Sequence, residues 1–324
     1  MVVRAVLFIH GDSDGICSGA LAYHVYSRKY EHVDIVFTHP AGLYEDLMEF
    51  ASPGDHVFIA DIALSEPHLD GILRVFNEFN RRGEIVYIDH HPEPLGLNVK
   101  ELPGIIIHDT CCSASELVYK YFENQLDSDY TRIALYGAIG DYLDDTPWVK
   151  KTLLNWDKRS VYFEAGVLSQ GLEASRKMYD FKRHVVKHLA DNRLPSSLSE
   201  LLVRALIESI NEEEMRTWVK KNVNILNNIG YVINPPGSLG RAANFARAYS
   251  GKKIGLAASV HKNVYVMSLR SDGSIDLNKL LRRLAVKFNG TGGGHPVAAG
   301  ARIPINKFND FLRELDREAG EEHA

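Results

Sequence analysis

The residues best suited to chemistry are carboxylates and imidazoles that directly follow short apolar segments of the chain. They are His10, Asp12 and Asp14 after residues 5–9, Asp61 after residues 56–60, and Asp89, His90 and His91 after residues 84–88. Each apolar segment is typical of a buried strand in a parallel sheet. Such strands place their carboxyl ends at one edge of the sheet, so we expect these side chains to converge there.

Converging carboxylates repel one another, and this points to bound cations. Two carboxylates about 4 Å apart repel by roughly 4 kcal/mol at an effective dielectric constant near 20. Several of them therefore need cations between them, or protons on some of them. Histidine and carboxylate ligands in one set favour manganese, iron or zinc over calcium. With about six candidate ligands, the sequence favours two ions that share a bridging carboxylate.

Alternating strands and helices position these residues. The segment 5–9 is followed by a glycine-bearing turn and a helical segment near 16–28, and further strand–helix units extend to residue 123. This alternation predicts a doubly wound parallel sheet. Because neighbouring strand residues point to opposite faces, Asp89, His90 and His91 must have different roles. Helix capping is the alternative explanation for the acids of the first turn, although capping does not require His10.

Two more acidic positions follow later elements. Asp109 comes after the apolar segment 104–108, and a capping or bracing role at the next helix is the alternative for it. Asp141, with Asp144 and Asp145, follows the helical segment 132–139. The sequence leaves open which of these three acids points inward, and a solvated acidic loop is the alternative.

Composition limits the classes of function. A chain of 324 residues is long enough for two domains, and its net charge of −5 disfavours bulk nonspecific nucleic-acid binding. Cys17, Cys111 and Cys112 do not form a disulfide framework, which predicts a reduced, intracellular protein. No stretch approaches the roughly 20 apolar residues of a membrane span, so we expect a cytoplasmic location and no membrane partner.

The last part of the chain changes character. Residues 147–228 have the pattern of amphipathic helices, and the segment 234–237 breaks it near an expected domain boundary. Two strands, 253–260 and 264–270, precede a helix at 276–288 and a glycine-rich loop at 290–294. Consecutive glycines let backbone amides approach an anion, and His295 or Arg270 can donate to a phosphate. A flexible linker and a surface ion pair are the alternatives.

Taken together and in this order, the segments resemble the DHH phosphoesterase superfamily, which is named after the triplet seen here at residues 89–91. The resemblance is carried by residues 10–14, Asp61, the triplet, Asp141, and residues 292–295 with 298–300. The last of these resembles the signature of the DHH-associated carboxy-terminal domain. The resemblance implies an α/β fold in which a Rossmann-like parallel-sheet domain is joined by helices to a smaller α/β domain, with the active site in the cleft between them. On this chain the expected boundaries are 1–190, 191–229 and 230–324.

The resemblance also implies roles for individual residues. Two divalent ions, most often manganese, would be held by His10, Asp12, Asp14, Asp61, His90 and Asp141, with Asp61 bridging. Whether His10 is a ligand stays open at this point. Asp89 would orient an imidazole and His91 would face the scissile phosphate. A substrate phosphate would be held by Arg270, Gly292, Gly293, Gly294 and His295.

The expected function is that of a manganese-dependent phosphodiesterase that hydrolyses short oligonucleotides, either nanoRNA or short single-stranded DNA, to mononucleotides with metal-activated water. The chain resembles the compact nanoRNase type more than the longer RecJ-like exonucleases. A nucleoside 3′,5′-bisphosphate phosphatase and a cyclic-dinucleotide phosphodiesterase are the enzymatic alternatives. A catalytically inactive scaffold that binds replication partners is the alternative from another class, and a homodimer is one candidate for the assembly.

Overall fold

The computed structural model describes residues 4–321 and divides the chain into two compact units. The first unit extends to Glu208 and the second begins at Ser209, inside the segment 191–229 that the sequence assigns to a connector. The boundaries expected from the sequence stay a prediction. Residues 1–3 and 322–324, at the ends of the expected domains, lie outside the described residues.

The first unit is built around a parallel sheet, which has five strands among the described residues. The strands are β1 (Ala5–Ile9), β2 (Val33–Phe37), β3 (His56–Ala60), β4 (Glu84–Asp89) and β5 (Ile105–His108). Their order across the sheet is β2–β1–β3–β4–β5, and every pairing is parallel. This confirms the predicted doubly wound α/β architecture.

Helices cover both faces of this sheet. They are α1 (Ser13–Tyr26), α2 (Leu43–Phe50), α3 (Leu69–Arg82), α4 (Ala114–Phe122), α5 (Thr131–Gly140), α6 (Pro147–Thr152), α7 (Lys158–Glu173) and α8 (Tyr179–Ala190). The longest helix, α9 (Ser199–Asn222), begins in the first unit and continues past its boundary. Short 3-10 turns occur at Glu66–His68, Val99–Glu101, Ser128–Tyr130, Leu153–Asn155, Pro195–Ser197 and Ile305–Lys307.

Alternate strand residues enter two separate hydrophobic cores. Leu7 and Val86 pack on the side of α1, α4, α5, α7 and α8, whereas Phe8 and Tyr87 pack on the side of α2 and α3. Every residue of β1 and β3 is buried. Burial on both faces explains why these strands are unbroken apolar runs, and it fixes their register against the helices.

The second unit has a mixed sheet, with six strands among the described residues. They are β6 (Asn224–Ile225), β7 (Ile229–Ile233), β8 (Ile254–His261), β9 (Val264–Ser271), β10 (Thr291–Gly294) and β11 (Ala298–Pro304), in the order β10–β11–β9–β8–β7–β6. Only the β7–β8 pair is parallel among these described strands. The helices are α10 (Leu239–Ser250), α11 (Leu277–Lys287) and α12 (Phe308–Glu321).

The glycine-rich segment is a strand, so the expectation of a loop was wrong. Residues 291–294 form the edge strand β10, which pairs antiparallel with β11. A Cβ atom on Gly292 would lie 3.0 Å from the Cβ atom of Leu281 in α11. The missing side chain therefore lets α11 pack closely against the edge strand, a tertiary requirement that the local sequence does not show.

Among the described residues, the structure has no helix with the length and apolar character needed to span a membrane. The three cysteines, all within the described part of the chain, form no disulfide.

Phe58 tests the packing of the first unit. Its side chain is fully buried in β3, with ring centroids 5.7 Å from Tyr26 and 6.0 Å from Phe122. We expect Phe58→Ala to lower the free energy of unfolding by about 3–5 kcal/mol, measured by denaturant titration. The control is Phe163→Ala in α7, because Phe163 is exposed and its loss should change that energy by about 0.5 kcal/mol or less. Equal effects of the two variants would contradict this account of the core.

Candidate metal centre

The candidate centre lies at the carboxyl ends of strands β1, β3 and β4. In the observed strand order, the connection from β1 leads toward one edge of the sheet and the connection from β3 leads toward the other, so the β1–β3 boundary is the switch point where open α/β sheets bind ligands. His10 follows β1, Asp61 follows β3 and His90 follows β4. The fold therefore brings these three side chains to the switch point, as the sequence predicts.

Asp12 both caps a helix and faces a histidine. It is the N-cap of α1, where its Oδ1 atom accepts a hydrogen bond from the backbone N–H of Gly15 at 3.1 Å. Its Oδ2 atom lies 2.7 Å from Nδ1 of His10. A Cβ atom on Gly15 would lie 2.4 Å from the carbonyl oxygen of His10, so this tight turn requires glycine. Capping thus accounts for one oxygen of Asp12 and leaves the other turned toward the centre.

The first ligand group consists of His10, Asp12 and Asp61, each of which offers a ligand atom within 4.8 Å of the others. The Nδ1 atom of His10 lies 3.8 Å from Oδ2 of Asp61. Burial opposes the charged form of His10, but the Asp12 carboxylate outweighs burial and raises the pKa of His10. In return, His10 overcomes burial and lowers the pKa of Asp12. Asp12 is therefore ionised at neutral pH, as a metal ligand must be.

The second ligand group consists of Asp14, His90 and Asp141, again with ligand atoms within 4.8 Å of one another. The Nε2 atom of His90 lies 3.8 Å from Oδ2 of Asp14 and 3.6 Å from Oδ2 of Asp141. Burial lowers the pKa of His90, although Asp14 acts in the opposite direction. His90 is therefore held as the neutral imidazole, which is the form that binds metals.

Asp61 connects the two groups, because its two carboxylate oxygens face different histidines. Oδ1 lies 3.2 Å from Nε2 of His90, and Oδ2 is the atom that faces His10. The backbone of Asp61 has a φ of 62°, a left-handed conformation that aspartate tolerates better than most residues. This conformation turns the carboxylate at the end of β3 into the space between the two groups.

The protein compensates the carboxylate of Asp61 only in part. Burial raises its pKa well above the usual range, and the carboxylates of Asp12 and Asp14 raise it further. Its Oδ2 atom is buried and has no hydrogen-bond donor. A buried, unpartnered oxygen in such surroundings requires a proton or a cation. Because both groups offer imidazole nitrogen and carboxylate oxygen, these residues fit two divalent transition-metal ions better than calcium.

Asp89 and His91 form a separate pair beside the ligand groups. The Oδ1 atom of Asp89 lies 2.8 Å from Nδ1 of His91, and its Oδ2 atom lies 3.2 Å from the backbone nitrogen of His91 and 3.0 Å from the hydroxyl of Tyr87. Asp61, Asp89 and His91 also offer ligand atoms within 4.8 Å, but both oxygens of Asp89 already have these partners. This arrangement fixes the orientation of the His91 ring.

The same pair sets the charge of His91. Burial opposes protonation, but Asp89 outweighs it and raises the pKa of His91 to about 9. Asp89 itself has a lowered pKa because His91 overcomes the effect of burial. At neutral pH the pair is thus an ionised carboxylate and an imidazolium, in contrast to the neutral His90 beside it.

Three supporting contacts involve residues that were not among those singled out from the sequence. Asp14 accepts hydrogen bonds from the backbone N–H groups of Ala114 at 2.7 Å and Ser115 at 2.9 Å, at the start of α4. Lys182 of α8, which is buried, donates from Nζ to the carbonyl oxygen of Gly11 at 2.5 Å. Tyr87, Lys182 and the amides of α4 carry no local signal, because the first resembles a core residue and the others are remote in sequence.

The remaining acids and histidines have other partners. The Oδ1 atom of Asp109 accepts a hydrogen bond from the backbone N–H of Cys111 at 2.9 Å. This contact agrees with the alternative that Asp109 braces its own turn. The Nε2 atom of His108 lies 2.6 Å from the carbonyl oxygen of His91. Asp144 accepts the hydroxyl of Tyr162 at 2.6 Å. Of the acids that follow α5, Asp141 is therefore the one that the structure places against His90.

The second unit contains the residues expected to hold phosphate. Arg270 lies in β9 opposite Ala298 of β11, and the backbone N–H of His295 donates to the carbonyl oxygen of Ala298 at 2.9 Å. The Nη1 atom of Arg270 donates to the carbonyl oxygen of Leu269 at 2.9 Å. The N–H of Gly294 donates to Oδ1 of Asn278 at 3.1 Å, so that amide is engaged within the unit. Arg270 in β9 and the glycine strand β10 thus lie on either side of β11, and His295 directly follows β10.

Comparison with known families identifies a domain in each unit of the chain. The profile of the DHH family, N-terminal domain, matches residues 4–140, and the profile of the DHHA1 domain matches residues 222–321. The chain belongs to the DHH phosphoesterase superfamily, which places it among phosphoester-hydrolysing enzymes. No curated protein matches the sequence at a significant level.

Solved structures share the fold at low sequence identity. A DHH domain described as a member of a family of ribosomal proteins aligns with a TM-score of 0.73 and 17% identity, covering 98% of this chain and 87% of its own. RecJ from Thermus thermophilus, solved with Mn²⁺, aligns with a TM-score of 0.70 and 14% identity, and the alignment covers 98% of this chain and 52% of RecJ. This chain therefore spans about half of that RecJ. The pGpG-specific phosphodiesterase PggH from Vibrio aligns with a TM-score of 0.60 and 14% identity, and the alignment covers 99% of both chains.

Asp61→Asn tests the incompletely compensated charge at the centre. Because the amide keeps the shape and tolerates the left-handed backbone, the variant should raise the stability of the metal-free protein by roughly 1–3 kcal/mol. Mn²⁺ at about 100 times its dissociation constant should stabilise the wild type by about 2.7 kcal/mol, and it should not stabilise the variant. Thermal and denaturant unfolding with and without Mn²⁺ measure both effects.

Asp109→Asn is the matched control, because Asp109 also follows a strand of the sheet but is exposed and braces its own turn. It should behave like the wild type in both conditions. If Asp61→Asn were less stable without metal, or kept the full response to Mn²⁺, Asp61 would not be the shared ligand.

The Asp89–His91 pair predicts a pH dependence. In metal-free protein, the His91 imidazole should titrate near pH 9, because the Asp89 carboxylate stabilises its protonated form. Asp89→Asn removes that carboxylate and should return the pKa toward the usual value of about 6.5. The Cε1–H resonance of His91 in NMR spectra reports the titration. A wild-type midpoint near 6.5 would contradict the ion pair.

Proposed function

We propose that the protein is a manganese-dependent phosphodiesterase that hydrolyses short oligonucleotides to mononucleotides. The observation that supports it most directly is Asp61, whose two oxygens face the two ligand groups. In the proposal, His10, Asp12 and Asp61 hold one ion, and Asp14, His90 and Asp141 hold the other, with Asp61 shared. When bound, two such ions supply a water molecule of lowered pKa and offset negative charge on the phosphoryl group.

The chain's own residues then act around that chemistry. Asp12 and Asp61 present carboxylate oxygens and His90 presents a neutral nitrogen, so no proton has to leave His90 before it binds a cation. We assign His91 to the scissile phosphate, where its imidazolium offsets the charge that grows on the phosphoryl oxygens. Asp89 orients that ring and keeps it protonated.

The second unit is assigned to substrate binding. Arg270, Gly292, Gly293, Gly294 and His295 are proposed to hold a substrate phosphate. Support comes from the guanidinium of Arg270, whose Nη2 atom would lie only 2.6 Å from a Cβ atom on Gly240. Glycine at that position leaves room for the guanidinium, whose planar set of N–H groups can bind a phosphate through two hydrogen bonds at once. Orientation of the substrate, and not the chemical step, is the role proposed for this unit.

Short oligonucleotides fit the chain better than long ones. The net charge of −5 disfavours extended nonspecific contact with a nucleic-acid backbone. Two proteins that share the fold, RecJ and PggH, are described as an exonuclease and as a pGpG-specific phosphodiesterase. A nucleoside 3′,5′-bisphosphate and a cyclic dinucleotide remain the alternative substrates, and the unpaired cysteines support a reducing, cytoplasmic compartment. A homodimer remains one candidate for the assembly.

A substrate series tests the proposal. Labelled RNA and DNA of two to about twenty nucleotides, a nucleoside 3′,5′-bisphosphate, a cyclic dinucleotide and pyrophosphate are incubated with the Mn²⁺-loaded protein. We expect the highest kcat/KM for the shortest oligonucleotides, complete loss with a chelator, and recovery with Mn²⁺. Activity that persists in chelator would contradict metal-dependent hydrolysis, and uniform absence of activity would favour a scaffold.

Asp141→Asn tests the second ligand group. Loss of its carboxylate should lower kcat by about 100-fold or more, because a ligand of one ion is removed while the fold is kept. Asp145→Asn is the control, since Asp145 lies four residues on and is exposed. Hydrolysis of a dinucleotide measures both variants. Equal activity of Asp141→Asn and the control would remove Asp141 from the ligand set.

His295→Ala tests the phosphate-binding assignment. The variant should raise KM for a dinucleotide by about tenfold or more, with an unchanged response of the melting temperature to Mn²⁺, because His295 is assigned to substrate and not to metal. His261→Ala, an exposed histidine of the same unit, is the control. An unchanged KM would show that the glycine strand and His295 are structural only.

A further inference from the structure

Tyr142 is an exposed aromatic residue that directly follows Asp141. Its side chain is 75% exposed, and that side chain makes no hydrogen bond, ion pair or ring contact with any other residue in the range 4–321. It also lies in neither of the hydrophobic cores of the first unit. The protein thus presents a large ring to solvent at the end of the α5 helix, without an intramolecular contact that explains it.

The backbone of Tyr142 is in a conformation that is unfavourable for tyrosine. Its φ is 60°, in the left-handed region where bulky side chains are rare. The N–H of Leu143 donates to the carbonyl oxygen of Ala138 at 2.8 Å, and the N–H of Tyr142 donates to that of Ile139 at 3.2 Å. These two bonds form a Schellman motif, in which the residue at this position is most often glycine.

The other left-handed residues show how unusual this is. Among the described residues, the non-glycine positions with positive φ are Asp61, Tyr142, Asn192, Asn234, Lys262 and Asn289. Four of them are aspartate or asparagine, the types that tolerate this region, and Lys262 lies in the turn between β8 and β9. Tyr142 is the aromatic member of the set. Backbone strain that no packing contact explains is often found at functional sites, so we looked for a function of the Tyr142 ring.

The position of Tyr142 in the chain suggests a function for its ring. Asp141 lies against His90 in the second ligand group, with 3.6 Å between Oδ2 and Nε2, and Tyr142 is the next residue. The two Schellman hydrogen bonds fix the main chain of Tyr142, so its exposed ring starts from a defined backbone position directly after Asp141. A ring next to a residue of this ligand group is placed to meet a base that flanks a phosphate bound there, because bases stack on exposed aromatic side chains.

We propose that Tyr142 is a stacking platform for the nucleobase next to the scissile phosphate, and therefore a specificity residue for nucleotides over phosphoesters that lack a base. This rests on the proposed function, because it assumes that the substrate carries bases. The left-handed backbone is the cost of placing a large ring one residue from a metal ligand.

The experiment uses three variants and two substrates. Tyr142→Gly relieves the backbone strain and removes the ring, Tyr142→Phe keeps the ring, and Lys262→Gly relieves the same kind of strain in the second unit. The substrates are a 5′-phosphorylated dinucleotide and its analogue with no bases. Melting temperature, with and without Mn²⁺, and KM and kcat on both substrates are measured for each protein.

Tyr142→Gly should melt about 1–4 °C higher than the wild type, because glycine suits the left-handed position. It should also raise KM for the dinucleotide by about 5- to 100-fold, the range for loss of one stacked base. KM for the base-free analogue and the response to Mn²⁺ should stay unchanged. Tyr142→Phe should match the wild type in KM, and Lys262→Gly should gain stability without any change in KM.

Either of two KM results would overturn the proposal: an unchanged KM of Tyr142→Gly for the dinucleotide, or an equal rise in KM for both substrates. A lost response to Mn²⁺ would also overturn it, because Tyr142 would then support the ligands and not the base. The wild-type rate on the dinucleotide tests the proposed function separately. If that rate is zero, calorimetric binding of a nucleoside monophosphate against ribose 5-phosphate decides the stacking question, since only the former should lose affinity in Tyr142→Gly.

Discussion

The central constraint on this protein is the mutual repulsion of carboxylates that the fold brings to one edge of a parallel sheet. Asp61 is surrounded by the carboxylates of Asp12, Asp14, Asp141 and Asp89, and burial adds to their effect on its pKa. Water cannot screen these charges as it would on the surface, because Asp61 and Asp14 are almost fully buried. The site is therefore shaped by what must neutralise it, and divalent cations meet that requirement with the ligand types that are present.

The protein compensates part of this charge with its own groups, and it does so unevenly. His10 is paired with Asp12, His91 with Asp89, and the amides at the start of α4 with Asp14. Asp61 receives none of these contacts at Oδ2, which is buried without a donor. This unevenness separates the roles of neighbouring residues: the compensated Asp89 orients a histidine, whereas the partly compensated Asp61 is available to a cation. Because both residues are aspartates at the end of a strand, the residue type alone does not distinguish these two roles.

The extent to which the sequence predicts this arrangement depends on how local each signal is. The ends of β1, β3 and β4 could be predicted, because a strand buried on both faces is an unbroken apolar run and its carboxyl end has a known place in the sheet. The strand β10 could not, since glycines have no side-chain periodicity and the packing of α11 against Gly292 is decided by tertiary contact. The contact of Lys182 with Gly11 joins positions 171 residues apart, and an amphipathic helix gives no sign of it. Tyr142 is a further case, because helix-ending hydrogen bonds impose its backbone conformation.

Asp14 has a consequence for how such a centre can be lost in evolution. Its two oxygens accept hydrogen bonds from the first two backbone N–H groups of α4, which have no acceptor within the helix. The carboxylate that faces His90 therefore also caps this helix. A lineage that gave up hydrolysis could discard Asp141, which is partly exposed, with little penalty to folding. It could not discard Asp14 so freely, since α4 would begin with buried donors that have no acceptor. An acid retained at position 14 is therefore weak evidence of activity, and one retained at position 141 is stronger.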